Sequence, residues 1–181
     1  MIIGLSGYAQ SGKDSVAKIL VEEYGYTRIA FADKIKELLY EMNPRVNDRQ
    51  LQQWVDTQGW DATKEISEVR MLLQNLGVGA RKVFGENFWV REALNTMIHK
   101  LNVDFNYVIT DVRFTNEANM IKANDGHIWR VERPGINPVN DHVSESELNA
   151  WNFDELIYNA GTLEDLAEIV RSSMEFDYDL R

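Results

Sequence analysis

One stretch near the N-terminus combines residue types that together could bind phosphate. Residues 7–15 read Gly-Tyr-Ala-Gln-Ser-Gly-Lys-Asp-Ser, which matches the phosphate-binding pattern G-x-x-x-x-G-K. Glycines let the backbone curl so that N–H groups point inward at phosphate oxygens, and Lys13 adds a full positive charge. A chance glycine-containing turn is the alternative, but an apolar run precedes the stretch and helically spaced apolar residues follow it. We therefore predict a phosphate loop formed by Gly7, Ala9, Gln10, Ser11, Gly12, Lys13, Asp14 and Ser15.

Asp14 stands where this pattern usually has Ser or Thr. A carboxylate is a harder ligand than a hydroxyl and could hold Mg²⁺ directly, with Ser15 as the neighbouring hydroxyl. Alternatively, Asp14 could repel phosphate and serve only as a helix cap. We favour the metal role and predict that Mg²⁺ is held by Asp14, Ser15 and Asp111.

A second group of polar residues follows the third predicted strand. Residues 110–113 read Thr-Asp-Val-Arg, and Asp111 would lie at the same edge of the sheet as the phosphate loop. Its carboxylate could hold a metal-bound water or receive a proton, and Arg113 could contact a phosphate through two hydrogen bonds. The alternative is a helix cap at Asp111 followed by a surface arginine. We predict Lys13, Asp111 and Arg113 as the catalytic residues.

Five short apolar runs alternate with helical patterns along the chain. The runs cover residues 2–6, 27–31, 107–110, 127–131 and 155–158. This alternation predicts an α/β fold in which helices cover both faces of a parallel sheet and the strand C-terminal ends share one ligand-binding edge. An apolar stripe over residues 66–76 predicts a helix that ends at Gly77 and Gly79, whereas the polar residues 45–62 receive no assignment.

Composition excludes several classes of function. The 181 residues contain no Cys, so disulfides, thiolate metal sites and cysteine nucleophiles are ruled out. With 29 acidic and 19 basic residues, the formal net charge of -10 argues against a broad nucleic-acid surface. No apolar run approaches the roughly 20 residues of a membrane helix, and the N-terminus lacks the basic stretch of a signal peptide. We predict one soluble, cytoplasmic domain that binds neither nucleic acid nor membranes.

Three motifs together resemble those of a known kinase family. They are Gly-Lys-Asp-Ser at residues 12–15, Phe-Ala-Asp-Lys-Ile-Lys at 31–36, and Thr-Asp-Val-Arg-Phe followed by Asn-Glu within 110–117. On these motifs, the chain from residue 2 to about residue 166 resembles the phage deoxynucleoside monophosphate kinases, a group of P-loop kinases. The likeness is weakest over residues 43–63.

The resemblance implies a three-layer fold over residues 1–181, with a five-stranded parallel sheet in the order 2-3-1-4-5. It implies a helical acceptor-binding insertion at residues 33–101 and a lid or substrate loop at residues 130–146. The implied reaction transfers the γ-phosphoryl of ATP, with Mg²⁺, to a deoxynucleoside monophosphate. The implied location is the cytoplasm, which is that of the host if a phage encodes the chain. Folds of this kind can form homodimers through their insertion helices.

Two other functions are weighed against this one. Another small-molecule kinase, acting on phosphomevalonate or dephospho-coenzyme A, would have similar motifs and is the alternative. A non-kinase P-loop protein is disfavoured, because the chain contains no Asn-Lys-x-Asp motif and no apolar strand that ends in Asp-Glu.

The insertion carries the residues that could bind the acceptor. Arg70 and Gln74 are four apart and share one helical face, and with Arg81 they flank Gly77. Alone they could be scattered surface residues, but the resemblance favours binding of a phosphate and a base edge. The predicted substrate-binding residues are Lys36, Arg70, Gln74, Gly77, Arg81, Trp89, Arg113, Glu117, Arg130 and His142. Trp89 could equally fill the core, and His142 could equally be a surface residue.

A turn after the last predicted strand could bind the other nucleotide. Residues 159–162 read Asn-Ala-Gly-Thr, and in small-molecule P-loop kinases such a turn lies against the adenine. The resemblance therefore implies that Asn159, Gly161 and Thr162 contact ATP. An ordinary turn with Thr162 as a helix N-cap is the other interpretation, and both could hold together.

Overall fold

The computed structural model describes residues 1–99, 106–137 and 147–179. In chain order the elements are β1 (Ile2–Ser6), α1 (Lys13–Tyr24), β2 (Thr27–Ile29), α2 (Phe31–Met42), β3 (Arg45–Val46), β4 (Arg49–Gln50), α3 (Leu51–Thr63), α4 (Ser67–Phe84), α5 (Phe88–His99), β5 (Tyr107–Ile109), α6 (Thr115–Ala123), β6 (His127–Glu132), β7 (Glu155–Tyr158) and α7 (Leu163–Asp179). The chain divides into two compact units, one of residues 1–30 and 100–181 and the other of residues 31–99.

The first unit is built on a five-stranded parallel sheet. Its order is β2-β5-β1-β6-β7, and β1 pairs with β5 and β6 on either side. When only these five strands are counted, the order is 2-3-1-4-5, and the predicted α/β fold class is confirmed. The strands β3 and β4 form a separate two-stranded antiparallel sheet in the second unit, which the sequence did not predict.

Alternate residues of β1 pack against helices on opposite faces of the sheet. Ile3 and Leu5 are fully buried in a core that includes Val16 and Leu20 of α1 together with residues of α7. Gly4 faces the other way, where an added Cβ would lie 2.6 Å from Ile121 Cδ1 of α6. A glycine at this position therefore lets α6 approach the central strand closely.

The second unit consists of α2 to α5 and the β3–β4 hairpin. Its core contains Leu39, Val46, Leu51 and Val69, all nearly or fully buried. The segment over residues 45–62 that received no assignment forms the hairpin and most of α3. Its polar sequence conceals this structure because the hairpin buries only Val46 of its four strand residues.

The helix α4 continues through Gly77 and Gly79, so the prediction that it ends there is wrong. It runs to Phe84 and is followed by Gly85, whose φ is 97°. Packing explains the difference, because an added Cβ at Gly77 would lie 3.2 Å from Ile35 Cδ1. A helical glycine costs only about 1 kcal/mol relative to alanine, which close packing can offset.

Smaller differences concern segment ends. The strand predicted at residues 27–31 ends at Ile29, because Phe31 already begins α2. Of the predicted lid at 130–146, residues 138–146 lie outside the described residues, and the domain boundaries and roles stay predictions. Among the described helices, none is long and apolar enough to cross a membrane.

Candidate active site

The loop between β1 and α1 has the tight backbone that a phosphate cradle requires. Three of its residues have positive φ, with 143° at Gly7, 64° at Gln10 and 108° at Gly12. The Ser11 N–H donates a hydrogen bond to the Tyr8 carbonyl over 3.2 Å. Gln10 is the one non-glycine of the three, so the loop holds a side chain in a conformation that favours glycine.

Close neighbours explain why two positions of this loop are glycine. An added Cβ at Gly7 would overlap the carbonyl oxygen of Val131 in β6 and lie 2.8 Å from Ser11 Oγ. An added Cβ at Gly12 would overlap the side-chain nitrogen of Asn159. The loop is therefore enclosed by β6 on one side and by the turn after β7 on the other.

Lys13 lies at the start of α1 with its side chain directed back to the loop. Its Nζ donates hydrogen bonds to the carbonyl oxygens of Gly7 over 2.7 Å and Tyr8 over 2.6 Å. These charge-assisted bonds hold the ammonium at the point where the N-terminus of α1 already provides a partial positive charge. The arrangement concentrates positive potential at the loop of a protein whose net charge is -10.

The candidate metal ligands beside the loop are few. Asp14 is exposed in the first turn of α1, and Ser15 is partly buried next to it. Among the described residues, no group of three or more His, Cys, Asp and Glu side chains could hold a metal ion. One or two carboxylates fit Mg²⁺ only if water and nucleotide phosphates complete its shell, which is how Mg²⁺ is commonly bound.

Hydrogen bonds fix the segment after β5 at the same edge of the sheet. The N–H of Val112 donates to the Leu5 carbonyl of β1 over 3.1 Å, which brings Asp111 and Arg113 to the end of the neighbouring strand. The carboxylate of Glu117, 4% exposed, accepts the N–H groups of Arg113 over 2.8 Å and Phe114 over 3.0 Å. Glu117 thus shapes this segment, and this burial argues against its predicted contact with substrate.

Arg130 is a buried cation next to the phosphate loop. It is 6% exposed, and its guanidinium carbon lies 4.8 Å from the centre of the Tyr8 ring and 5.5 Å from that of Phe153. It also donates to Ser6 Oγ over 3.4 Å and pairs with Glu132 at 3.5 Å.

Arg130 and Arg113 line one pocket. Its walls also include Gly7 and Tyr8 of the phosphate loop. Two arginines, one held rigidly by aromatic rings, therefore face the same space as the loop. The space measures about 10 Å³, which is room for a single water molecule, so the two arginines border the loop without enclosing a phosphate cavity.

The turn after β7 contains a structural cap and a side chain that reaches the loop. Thr162 caps α7, since Asp165 N–H donates to its Oγ1 over 3.2 Å and its own hydroxyl donates to Asp165 Oδ2 over 2.7 Å. The side-chain hydrogen bond from Thr162, assisted by one from its backbone N–H, lowers the pKa of Asp165. Asn159 is buried, and its side-chain nitrogen donates a hydrogen bond to the Ser11 carbonyl oxygen. An added Cβ at Gly161 would overlap the side chain of Asp165. Contact of these residues with adenine stays a prediction.

In the second unit, the unbroken helix α4 aligns the predicted acceptor residues. At about 100° per residue, Arg70, Gln74 and Arg81 fall on one face of α4 over about 16 Å. Arg70 and Gln74 are exposed, and the Arg70 guanidinium pairs with Glu65 at 2.9 Å. Lys36 of α2 lies 3.9 Å from Asp33.

Trp89 and Gly77 have packing roles in this unit. Trp89 is 5% exposed, and its Nε1 donates to the Gly77 carbonyl over 2.9 Å. This burial argues against the predicted stacking of Trp89 on a base and makes it a core residue that joins α4 to α5. His142 lies outside the described residues.

Comparison with known proteins decides the family. The family model described as deoxynucleotide monophosphate kinase matches residues 45–170. The chain belongs to this family. A protein of Acanthamoeba polyphaga mimivirus named "Putative deoxynucleotide monophosphate kinase" is 29% identical to it over 97% of this chain and 96% of its own length.

Two further similarities were found for this deoxynucleotide monophosphate kinase family member. The deoxynucleotide monophosphate kinase of Escherichia phage RB69 is 34% identical over 54% of this chain, and the matching region covers 41% of the phage protein. The crystal structure of shikimate kinase from Aquifex aeolicus matches 98% of both chains at 13% identity with a TM-score of 0.49.

The sequence motifs of this family member do not indicate which residues support its phosphate loop. The contact of Arg130 with the Tyr8 ring and the hydrogen bond from Asn159 to Ser11 both join residues more than a hundred positions apart. The one sequence signal was that Arg130 falls in a predicted strand whose end reaches the ligand-binding edge. The family model does not include the phosphate loop, which lies before residue 45.

Proposed function

We propose that this protein transfers the γ-phosphoryl group of ATP to a deoxynucleoside monophosphate, giving the diphosphate and ADP. The observation that carries the proposal is the loop of residues 7–15, with Lys13 held on its carbonyls at the N-terminus of α1. Membership in the deoxynucleotide monophosphate kinase family supports the choice of acceptor.

The donor site lies in the first unit. Backbone N–H groups of the loop and the Lys13 ammonium bind the β- and γ-phosphates, while the turn at residues 159–162 lies against the adenine. Arg113 and Arg130 line the pocket beside the loop. Because charge spreads over the transferred phosphoryl in the transition state, cations fixed in advance stabilise it more than the ground state.

The acceptor oxygen needs little help from a base. The second pKa of a phosphate monoester is about 6, so the acceptor is largely a dianion at neutral pH. One of its oxygens forms the new bond to the γ-phosphorus as the bond to the β,γ-bridging oxygen breaks, and the electron pair leaves with ADP. We therefore assign Asp111 to the metal rather than to proton transfer.

The metal requirement follows from the residues around the loop. Asp14, Ser15 and Asp111 would hold Mg²⁺ together with phosphate oxygens and water. An ion held there would supply positive charge to offset that of the ATP phosphates. The chain's own part is to present two carboxylates and a hydroxyl beside the loop without enclosing the ion.

The acceptor site belongs to the second unit. Lys36, Arg70, Gln74 and Arg81 are the residues proposed to bind the monophosphate and its base. A net charge of -10 repels a dianion at long range, so local guanidiniums must supply the attraction. Each charge-assisted hydrogen bond is worth about 1.5–3 kcal/mol.

A coupled ADP-release assay tests the proposal. Each deoxynucleoside and ribonucleoside monophosphate is offered singly with ATP and Mg²⁺, and phosphomevalonate and dephospho-coenzyme A are included as competing acceptors. We expect turnover with at least one deoxynucleoside monophosphate and none with the other two acceptors. Turnover only with phosphomevalonate or dephospho-coenzyme A, or ATP hydrolysis without any acceptor, would contradict the proposed function.

A further inference from the structure

The side chain of Asn159 links the turn after β7 to the phosphate loop. Its Nδ2 donates a hydrogen bond to the Ser11 carbonyl oxygen over 2.9 Å, and Asn159 is 7% exposed. Because a carbonyl oxygen can only accept, the nitrogen of the amide must be the atom that faces it. The backbone N–H of Asn159 donates to the Glu132 carbonyl over 2.7 Å, so β6 anchors the residue from which the side chain reaches out.

This bond acts on a peptide unit at the centre of the loop. A trans peptide is planar, and its carbonyl and the following N–H point in opposite directions. The orientation of the Ser11 carbonyl therefore determines where the N–H of Gly12 points. Gly12 has a φ of 108°, and an added Cβ there would overlap Asn159 Nδ2, so the amide also lies against the next residue.

Burial makes the bond costly to lose. Ser11 is 1% exposed, and its own hydroxyl oxygen is buried without a partner, so this part of the loop has little access to water. A buried carbonyl that loses its donor bears most of the desolvation penalty of an unpaired polar group. The peptide would then rotate toward another partner, and the N–H of Gly12 would rotate with it.

We propose that Asn159 is a positioning residue for the phosphates: it fixes the Ser11–Gly12 peptide so that the Gly12 N–H is directed at a phosphate oxygen. The inference rests on the proposed ATP-binding function of the loop. It assigns the Asn159 side chain to the phosphate end of the nucleotide, whereas the sequence motif pointed to the adenine.

Inorganic tripolyphosphate separates the two roles because it has phosphates and no base. Calorimetry with Mg²⁺ gives the Kd of tripolyphosphate and of ATP for the wild type, Asn159→Ala and Asn159→Asp. The matched control is Asn152→Ala, which removes an exposed amide from the same unit. Thermal unfolding of each variant without ligand identifies any loss of fold.

We expect Asn159→Ala to weaken both ligands by the same factor of about ten, the loss expected for one buried hydrogen bond. Asn159→Asp should weaken both at least as much, because its carboxylate faces a carbonyl oxygen. Asn152→Ala should change neither Kd.

Four results would overturn the inference. If the Asn159 variants weaken ATP but not tripolyphosphate, the side chain reads the base. If they lower only the melting temperature, Asn159 is structural. If the wild type binds ATP but not tripolyphosphate, the loop does not hold phosphates by itself, and if it binds neither, the proposed function fails as well.

Discussion

Replacing Gly7 by Ala tests how closely the phosphate loop approaches β6. Two costs add in this variant. The φ of 143° at Gly7 is a conformation that side chains rarely adopt, which costs about 1–3 kcal/mol. The added methyl would overlap the Val131 carbonyl oxygen and lie 2.8 Å from Ser11 Oγ, and overpacking of this kind costs about 1–3 kcal/mol.

Together these costs give about 4 kcal/mol as a central value. For a protein of this size, 1 kcal/mol lowers Tm by about 2–4 °C, so Gly7→Ala should lower Tm by about 8–16 °C. The shift of the loop away from β6 should also weaken ATP binding, since the N–H groups lose their common direction.

Gly25→Ala is the matched control. Gly25 also has a positive φ, 68°, but an added Cβ there would meet nothing within 4 Å. Only the backbone cost of about 1–2 kcal/mol applies, and ATP affinity should not change. Differential scanning fluorimetry and ATP titration of both variants provide the comparison. Equal Tm losses, or wild-type ATP affinity in Gly7→Ala, would refute the close approach described here.

Four further predictions concern charge. Lys13→Ala should lower kcat by at least about 100-fold with little loss of Tm, because no core cavity forms, and a near-normal kcat would refute the loop assignment. Asp14→Asn should raise the Mg²⁺ concentration for half-maximal rate, since an amide is a poorer ligand for a hard cation; an unchanged requirement with lower Tm would make Asp14 a helix cap. Arg70→Ala should mainly raise KM for the deoxynucleotide and Arg113→Ala should mainly lower kcat, and equal effects on ATP and acceptor would contradict separate sites. The lowered pKa of Asp165 means that its ionised form stabilises the fold above the ordinary value of 3.8, and the stabilisation is lost as pH falls through the lower folded-state pKa. The Tm difference between wild type and Asp165→Asn should therefore shrink below pH 3.8, and a difference that stays constant would contradict the linkage.

The sheet could be predicted from sequence because its signals are local. The strands β1 and β7 match the predicted runs at residues 2–6 and 155–158 to the residue. Buried parallel strands read as short apolar runs, and turns with glycine or asparagine bound them. The phosphate loop was predictable for the same reason, since its glycines and lysine are contiguous.

The end of α4 could not be predicted because tertiary contacts decide it. Glycine weakens a helix by its intrinsic propensity, so a rule that uses only the local sequence treats Gly77 as a stop signal. The structure places Ile35 against Gly77 and gives its carbonyl a donor from Trp89, and neither contact shows in the local sequence. The hydrogen bond from Asn159 to Ser11 was likewise not predictable, because the two residues are 148 positions apart in the sequence.

The central position of β1 has a consequence for the order in which the sheet can form during synthesis. Among the strands of this sheet, β1 is synthesised before the others, yet its partners are β5 and β6 rather than β2. Synthesis must cover the whole unit of residues 31–99 before Tyr107 can pair with Ile2. At about 5–20 residues per second, the nascent chain carries an unpaired apolar strand for about 4–15 seconds after residue 30 has been added. By then residues 31–99, which have a core of their own, are complete in sequence, whereas the phosphate loop still lacks β6 and the turn after β7, the two segments that enclose it.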